Sequence, residues 1–113
     1  MTFSATLDTT IPGIAKITLA GSLDASTASV FREAVEKAAT ATPQRLVLMM
    51  EELEYMASAG LRVLLFTKQK MGEHTDIYMI GTQEMVKGTI EKTGFHQSVI
   101  MLDEYDAAEI ENV

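Results

Sequence analysis

The sequence contains no cysteine, so disulfide staples and thiolate metal sites are excluded and a cytoplasmic location is consistent. Basic side chains are sparse as well: nine Lys and Arg stand against sixteen Asp and Glu, a formal net charge of −7. Those nine are scattered along the chain, which argues against direct binding of nucleic acid. No apolar run approaches the roughly 20 residues needed to span a bilayer. Met1-Thr2-Phe3-Ser4 also lacks a basic stretch leading into a long apolar segment. Neither membrane insertion nor a signal peptide is therefore expected. His74 and His96 fall in separate predicted loops, without metal-ligand spacing. With no phosphate-cradling glycine loop and no nucleophile–base pair, the sequence predicts a binding protein that carries no cofactor, not an enzyme.

What is present is a chain of 113 residues, 47% hydrophobic and 22% charged, which predicts one folded domain over 1–113. There is no linker, internal repeat or low-complexity segment. The acidity suits a basic protein surface as partner, and it also serves simply to keep a domain soluble. Eight methionines fall mostly at predicted core positions and are read as packing.

Periodicity sets out the order of elements. Phe3 to Leu7 alternates and predicts a strand; Ile11-Pro12-Gly13 is a turn, and Ile14 to Leu19 predicts the hairpin partner. Gly21-Ser22-Leu23-Asp24 ends that strand. Ala28, Phe31, Val35 and Ala38 then recur at helical spacing, with Asp24 or Ser26 as candidate cap and Thr42-Pro43 as the stop. Arg45 to Met50 reads as a strand covered on both faces, with Glu51, Glu52 and Glu54 as solvated loop carboxylates. A helix from about Ser58 to Met71 is apolar on most sides, with Gly72 as C-cap. Ile77 to Ile80 is a further strand. Thr82 can cap a helix through about Thr93 that places Met85, Val86 and Ile90 on one face, and Gly94 closes it. Ser98 to Met101 is a short strand and Asp103 to Glu111 a terminal helix. The order β-β-α-β-α-β-α-β-α predicts an α/β domain: a mixed, mostly parallel sheet of about five strands flanked by about four helices.

The segment Tyr55-Met56-Ala57-Ser58-Ala59-Gly60-Leu61 stands at a strand-to-helix junction, where the first helical N–H groups lack partners. Ser58 there is a candidate N-cap. A phosphate added to it would meet backbone donors and the positive end of the helix dipole. Asp24 is a candidate cap or site residue, and Gly60 allows close approach either of a partner or of the fold itself. Arg62, one turn into the helix, is a candidate for a charged partner contact or a solvated face.

The element order, the Gly21-Ser22-Leu23-Asp24 corner, the Tyr55–Leu61 segment and the Gly94-Phe95 pair resemble the STAS domain of bacterial anti-sigma factor antagonists. The resemblance covers nearly the whole chain. It implies a protein that binds an anti-sigma factor which is also a serine kinase, and that is released when phosphorylated. The family's Asp-Ser-Ser-Gly-Leu pattern falls on Ala57, Ser58, Ala59, Gly60 and Leu61, so the resemblance makes Ser58 the phosphoacceptor. Asp24, Ala57, Ala59, Gly60 and Arg62 are the candidate partner-binding set. This sequence departs from the pattern at three polar positions: Ser22 replaces the corner glutamate, Met49 the polar residue of the third strand, and Ala57 the aspartate.

The expected mechanism is a partner switch. Unphosphorylated, the domain would hold the kinase and free a sigma factor; phosphorylation would add about −1.5 to −2 charge and break that interface while the fold persists. ATP would belong to the partner, and a phosphatase would reset the switch. Two alternatives stay open: a constitutive scaffold that has lost regulated phosphorylation, and a sensor of a nucleotide or other small ligand in a groove near Asp24 and Ser58.

Overall fold

Alternation of small and apolar residues builds the sheet, and all five expected strands form in the computed structural model, which describes residues 3–113. The strands are β1 (Ser4–Asp8), β2 (Ile14–Leu23), β3 (Arg45–Met56), β4 (Asp76–Ile80) and β5 (Ile100–Leu102). Their spatial order is the chain order, β1-β2-β3-β4-β5. The β1–β2 hairpin is antiparallel, and β2–β3, β3–β4 and β4–β5 are parallel. Each parallel step is spanned by a helix: α1 (Ala28–Thr40), α2 (Ser58–Met71) or α3 (Glu84–Thr93). A turn of 3-10 helix (Phe95–Ser98) follows α3, and a single helical turn, α4 (Ala107–Ile110), ends the fold.

The two faces of the sheet are covered unequally. Ala15, Ile17 and Leu19 of β2, Leu46 and Leu48 of β3, and Ile77 and Met79 of β4 point into the main core. There they meet Phe31 and Val35 of α1, Val63 and Leu64 of α2, and Val86 and Ile90 of α3. The three long helices thus share one face. On the other, Ile14, Val47, Tyr78 and Ile80 are covered by the terminal segment, whose Ile110 is fully buried. The expected terminal helix over 103–111 shrinks to four residues. Asp106 is its N-cap, its side chain accepting from the Glu109 amide at 3.3 Å, and burial of Ile110 supplies the anchor that length does not.

β3 is six residues longer than expected. Its ladder with β2 slips twice: Thr18 pairs with Met49 but Ala20 with Glu52, and Gly21 pairs with Leu53 but Ser22 with Tyr55. Each slip inserts one extra residue into β3, a β-bulge, and turns the following side chains to the opposite face. Met50, Leu53 and Met56 are therefore all buried although they stand three apart. That spacing hides the strand from a period-two reading. Glu51, Glu52 and Glu54 accordingly lie on β3, not in a loop. β2 likewise runs on to Leu23, into the corner expected to end it.

Other boundaries shift less. Gly72 (φ 77°) and Gly94 (φ 78°, left-handed) are the C-caps of α2 and α3, as expected. Phe3 is buried but precedes the strand, and Ser98 belongs to the 3-10 turn. Thr82 does not cap α3; Gln83 is the N-cap, and its Nε2 donates to the Glu51 carbonyl oxygen at 2.8 Å. Met85, expected on the packed face of α3, is 74% exposed in its first turn. α2 buries one face only, with Gly60, Val63, Leu64 and Thr67 inside and Leu65 54% exposed.

Candidate functional site

The candidate site is built where β2 and β3 end together. Leu23 pairs with Met56 as the last rung of their ladder, and the Ala57 amide then donates to the Leu23 carbonyl oxygen at 2.8 Å. That bond ties the Gly21–Asp24 corner to the start of α2. Ala57, not Ser58, is the N-cap residue, with extended dihedrals (φ −91°, ψ 176°); its carbonyl accepts from Gly60 N and Leu61 N. Ser58 is the first residue inside the helix, and its side chain makes no cap hydrogen bond. The capping role expected of Ser58 is corrected accordingly. From the first helical position a hydroxyl cannot reach back to the amides of its own turn as an N-cap does. The exposed hydroxyl is left free for other chemistry.

Gly60 is buried because the fold needs its smallness. A Cβ built there would stand 2.8 Å from both Cγ and Cδ2 of Leu23 and 2.9 Å from Met56 Cγ. Internal packing therefore accounts for this glycine: the helix start lies against the corner. Ala57 and Ala59 flank the serine as small, half-buried side chains. Arg62 lies one turn further along, exposed, with Leu65 exposed one position short of the next turn; positions i, i+4 and i+7 share one helix face. Ser58, Arg62 and Leu65 thus form an outward stripe. Beside α2, the Arg32 guanidinium of α1 covers the Phe66 ring at 4.1 Å from its centroid.

Asp24 turns out to serve its own loop. Its Oδ1 accepts from Ser26 N at 2.9 Å and Ser26 Oγ at 2.7 Å, an Asx-turn that shapes the corner. The Ser26 hydroxyl, then the Ser26 amide, hold the Asp24 carboxyl below the usual carboxylate range. Neither Asp24 nor Ser26 caps α1. Its N-cap is Thr27, whose hydroxyl donates instead to the Ser22 carbonyl oxygen at 3.0 Å and accepts from Asp24 N at 2.9 Å.

Of the departures noted in the sequence, Ser22 lies opposite Tyr55 in the ladder, and Met49 packs on the second face with the Ile14–Val47 group. Tyr55 is 48% exposed at the end of β3. The main cavities, of about 230, 30 and 540 Å³, are lined by residues other than Asp24 and Ser58. Among the described residues no group of His, Asp or Glu could hold a metal ion, and no helix is long and apolar enough to cross a membrane.

A five-stranded sheet carries its long helices on one face and, at the β2–β3 end, an exposed serine on a helix start locked to a strand corner. The chain belongs to the STAS domain family, whose model matches residues 7–108. It is 24% identical over 86 residues to the anti-sigma-F factor antagonist RsfB of Mycobacterium tuberculosis, spanning 76% of this chain and 70% of that protein. In structure it is similar to an anti-sigma factor antagonist from Mycobacterium paratuberculosis (TM-score 0.85, 21% identity, 96% and 92% of the two chains). It is also similar to the antagonist SpoIIAA in its unphosphorylated form (TM-score 0.72, 18% identity, 94% and 91%). The phosphorylated form of the Bacillus protein SpoIIAA superposes with TM-score 0.69 at 16% identity, over 94% and 97%.

Proposed function

We propose that this domain is an anti-sigma factor antagonist whose grip on an anti-sigma factor with serine kinase activity is broken by phosphorylation of Ser58. The observation that carries the reading is the exposed, uncapped hydroxyl of Ser58 at the first helical position of α2, flanked by two alanines. It is the single hydroxyl between Tyr55 and Thr67, so a kinase reaching this loop has one serine or threonine to modify. The names borne by the relatives point the same way. Arg62, Ala57, Ala59 and the corner at Asp24 would supply the contact surface, with Gly60 holding it in place from within.

A phosphate on Ser58 would sit by the first amides of α2, at the positive end of its dipole, and leave the fold intact. Toward the partner the same charge acts as repulsion and as a desolvation cost. The cognate kinase with ATP, followed by intact-mass measurement, tests this: one phosphate should add to the wild type and none to Ser58→Ala. A chain that gains no mass, or gains it despite Ser58→Ala, would overturn the reading.

Ala57 supports a second reading, a constitutive STAS scaffold. With alanine there and Ser22 opposite Tyr55, two polar groups expected beside an acceptor serine are replaced; Met49, the third departure, lies seven residues before Met56 on the second face of the sheet. A scaffold would bind its partner equally as wild type, Ser58→Ala and Ser58→Asp, whereas the switch requires Ser58→Asp to bind more weakly than Ser58→Ala.

A further inference from the structure

The outer edge of the sheet, one strand beyond the β2 corner, carries a surface outside the proposed partner-binding set. β1 is the terminal strand, and among the described residues it pairs only with β2. Its sequence, Ser4-Ala5-Thr6-Leu7-Asp8, has neither proline nor lysine, the residues that usually guard an open edge against pairing. Between β1 and α1 lies the largest cavity described, a groove of about 540 Å³ lined by Ala5, Leu7, Val30, Glu33 and Lys37 among others. Val30 is 42% exposed at its rim. Ala5 and Leu7 are only half-buried beneath it.

We propose that two copies of this chain associate through β1, pairing antiparallel about Thr6 so that the sheet continues from one copy into the other. The argument for a second copy as the occupant is self-complementarity. Antiparallel pairing about Thr6 sets Ser4 of one copy opposite Asp8 of the other, Ala5 opposite Leu7, and Thr6 opposite itself, with no like charges facing. The same two-fold axis brings the two α1 helices side by side in opposite directions. Val30, Glu33 and Lys37 form one stripe on α1, at i, i+3 and i+7, with Glu33 and Lys37 one turn apart. Reversal by the axis sets each Glu33 toward the opposite Lys37, with one Val30 at either end of the paired stripes. An isologous interface requires this kind of patch. One five-residue strand and one helix stripe fall at the low end of the ~1,200–2,000 Å² of a stable interface, so the dimer is concentration-dependent.

Sedimentation equilibrium of the full chain from about 10 μM to about 1 mM, at low salt, reads the association. A reversible monomer–dimer equilibrium is expected. Lys37→Glu should weaken it by about tenfold or more through four facing carboxylates, and the swap Glu33→Lys with Lys37→Glu should restore it. Both positions are exposed, and circular dichroism checks that each variant keeps its fold. A chain that stays monomeric across the range overturns the proposal. So does a dimer that Lys37→Glu leaves unchanged, or one that the charge swap fails to restore.

Discussion

Gly60 and Leu23 are in contact so close that a single methyl group on the glycine would stand 2.8 Å from the leucine's Cγ. The corner and the helix start are therefore one rigid unit, closed by the Ala57–Leu23 backbone bond and by this packing. Gly60→Ala should destabilise the domain by about 1–3 kcal/mol, read as a fall in the urea midpoint, because overpacking displaces buried side chains. Gly88, inside α3 with open space around its missing Cβ, makes the control. Gly88→Ala should instead gain roughly 0.5–1 kcal/mol from the lower entropy of the unfolded chain.

Ser58 contributes no cap bond, so Ser58→Ala should cost only a few tenths of a kcal/mol, where loss of an N-cap serine costs about 1. Ser58→Asp should raise stability by about 0.3–1 kcal/mol through the helix dipole. Thermal melts in low salt distinguish these values. Because stability rises while partner binding falls, an effect of Ser58→Asp on binding could not be assigned to unfolding.

Asp24 has its carboxyl held below the usual range by the Ser26 hydroxyl and amide. A lowered folded-state pKa means the ionised form is favoured by folding. Its stabilisation is present above the ordinary value of 3.8 and is lost as the pH falls through the folded-state pKa. Asp24→Asn should flatten the acid limb of the stability profile below about pH 4 and leave the neutral limb's shape unchanged. Carboxyl NMR titration of the wild type should find Asp24 among the more acidic of its carboxylates.

Tyr105 sits under the Lys16 ammonium, 4.3 Å from its ring centroid, and donates its hydroxyl to Glu111 Oε2 at 2.6 Å. Burial first, then the bond to Glu111 and the charge of that carboxylate, push its pKa up to about 12. Folding thus favours the neutral phenol. The stabilisation is whole below the ordinary value of 10.0 and disappears as the pH rises through about 12. The terminal segment should loosen in that window, seen as tyrosine ionisation at 295 nm coinciding with loss of stability, and Tyr105→Phe should remove the step.

Much of the architecture was legible because it rests on local signals. The 3.6-residue spacing of Phe31, Val35 and Ala38 and the glycines at 72 and 94 act through neighbours in the chain. The far half of β3 was not legible, since its two bulges place buried residues at 50, 53 and 56 and only pairing with β2 creates that spacing. Met85 falls outside the buried face for a related reason, as does the outer side of the mostly apolar α2. Periodicity tells which residues share a helix face but not how wide a face the sheet will cover. At the site, the resemblance pointed to Ser58, yet its standing as first helical residue depended on where the Ala57–Leu23 bond stopped the strand.

By itself the sequence determined the class of fold, the order of elements and the serine at the third strand's end, because hydrophobic period and turn residues act over a few positions. Only the tertiary structure decided what surrounds that serine. It showed Gly60 to be needed inside, Asp24 to be spent on its own turn, and Arg62 and Leu65 to stand outward beside Ser58. The packing of the serine's helix start depends on contacts between segments more than thirty residues apart, Leu23 with Ala57 and Gly60. No local pattern encodes that packing; the closing of β2 onto β3 does.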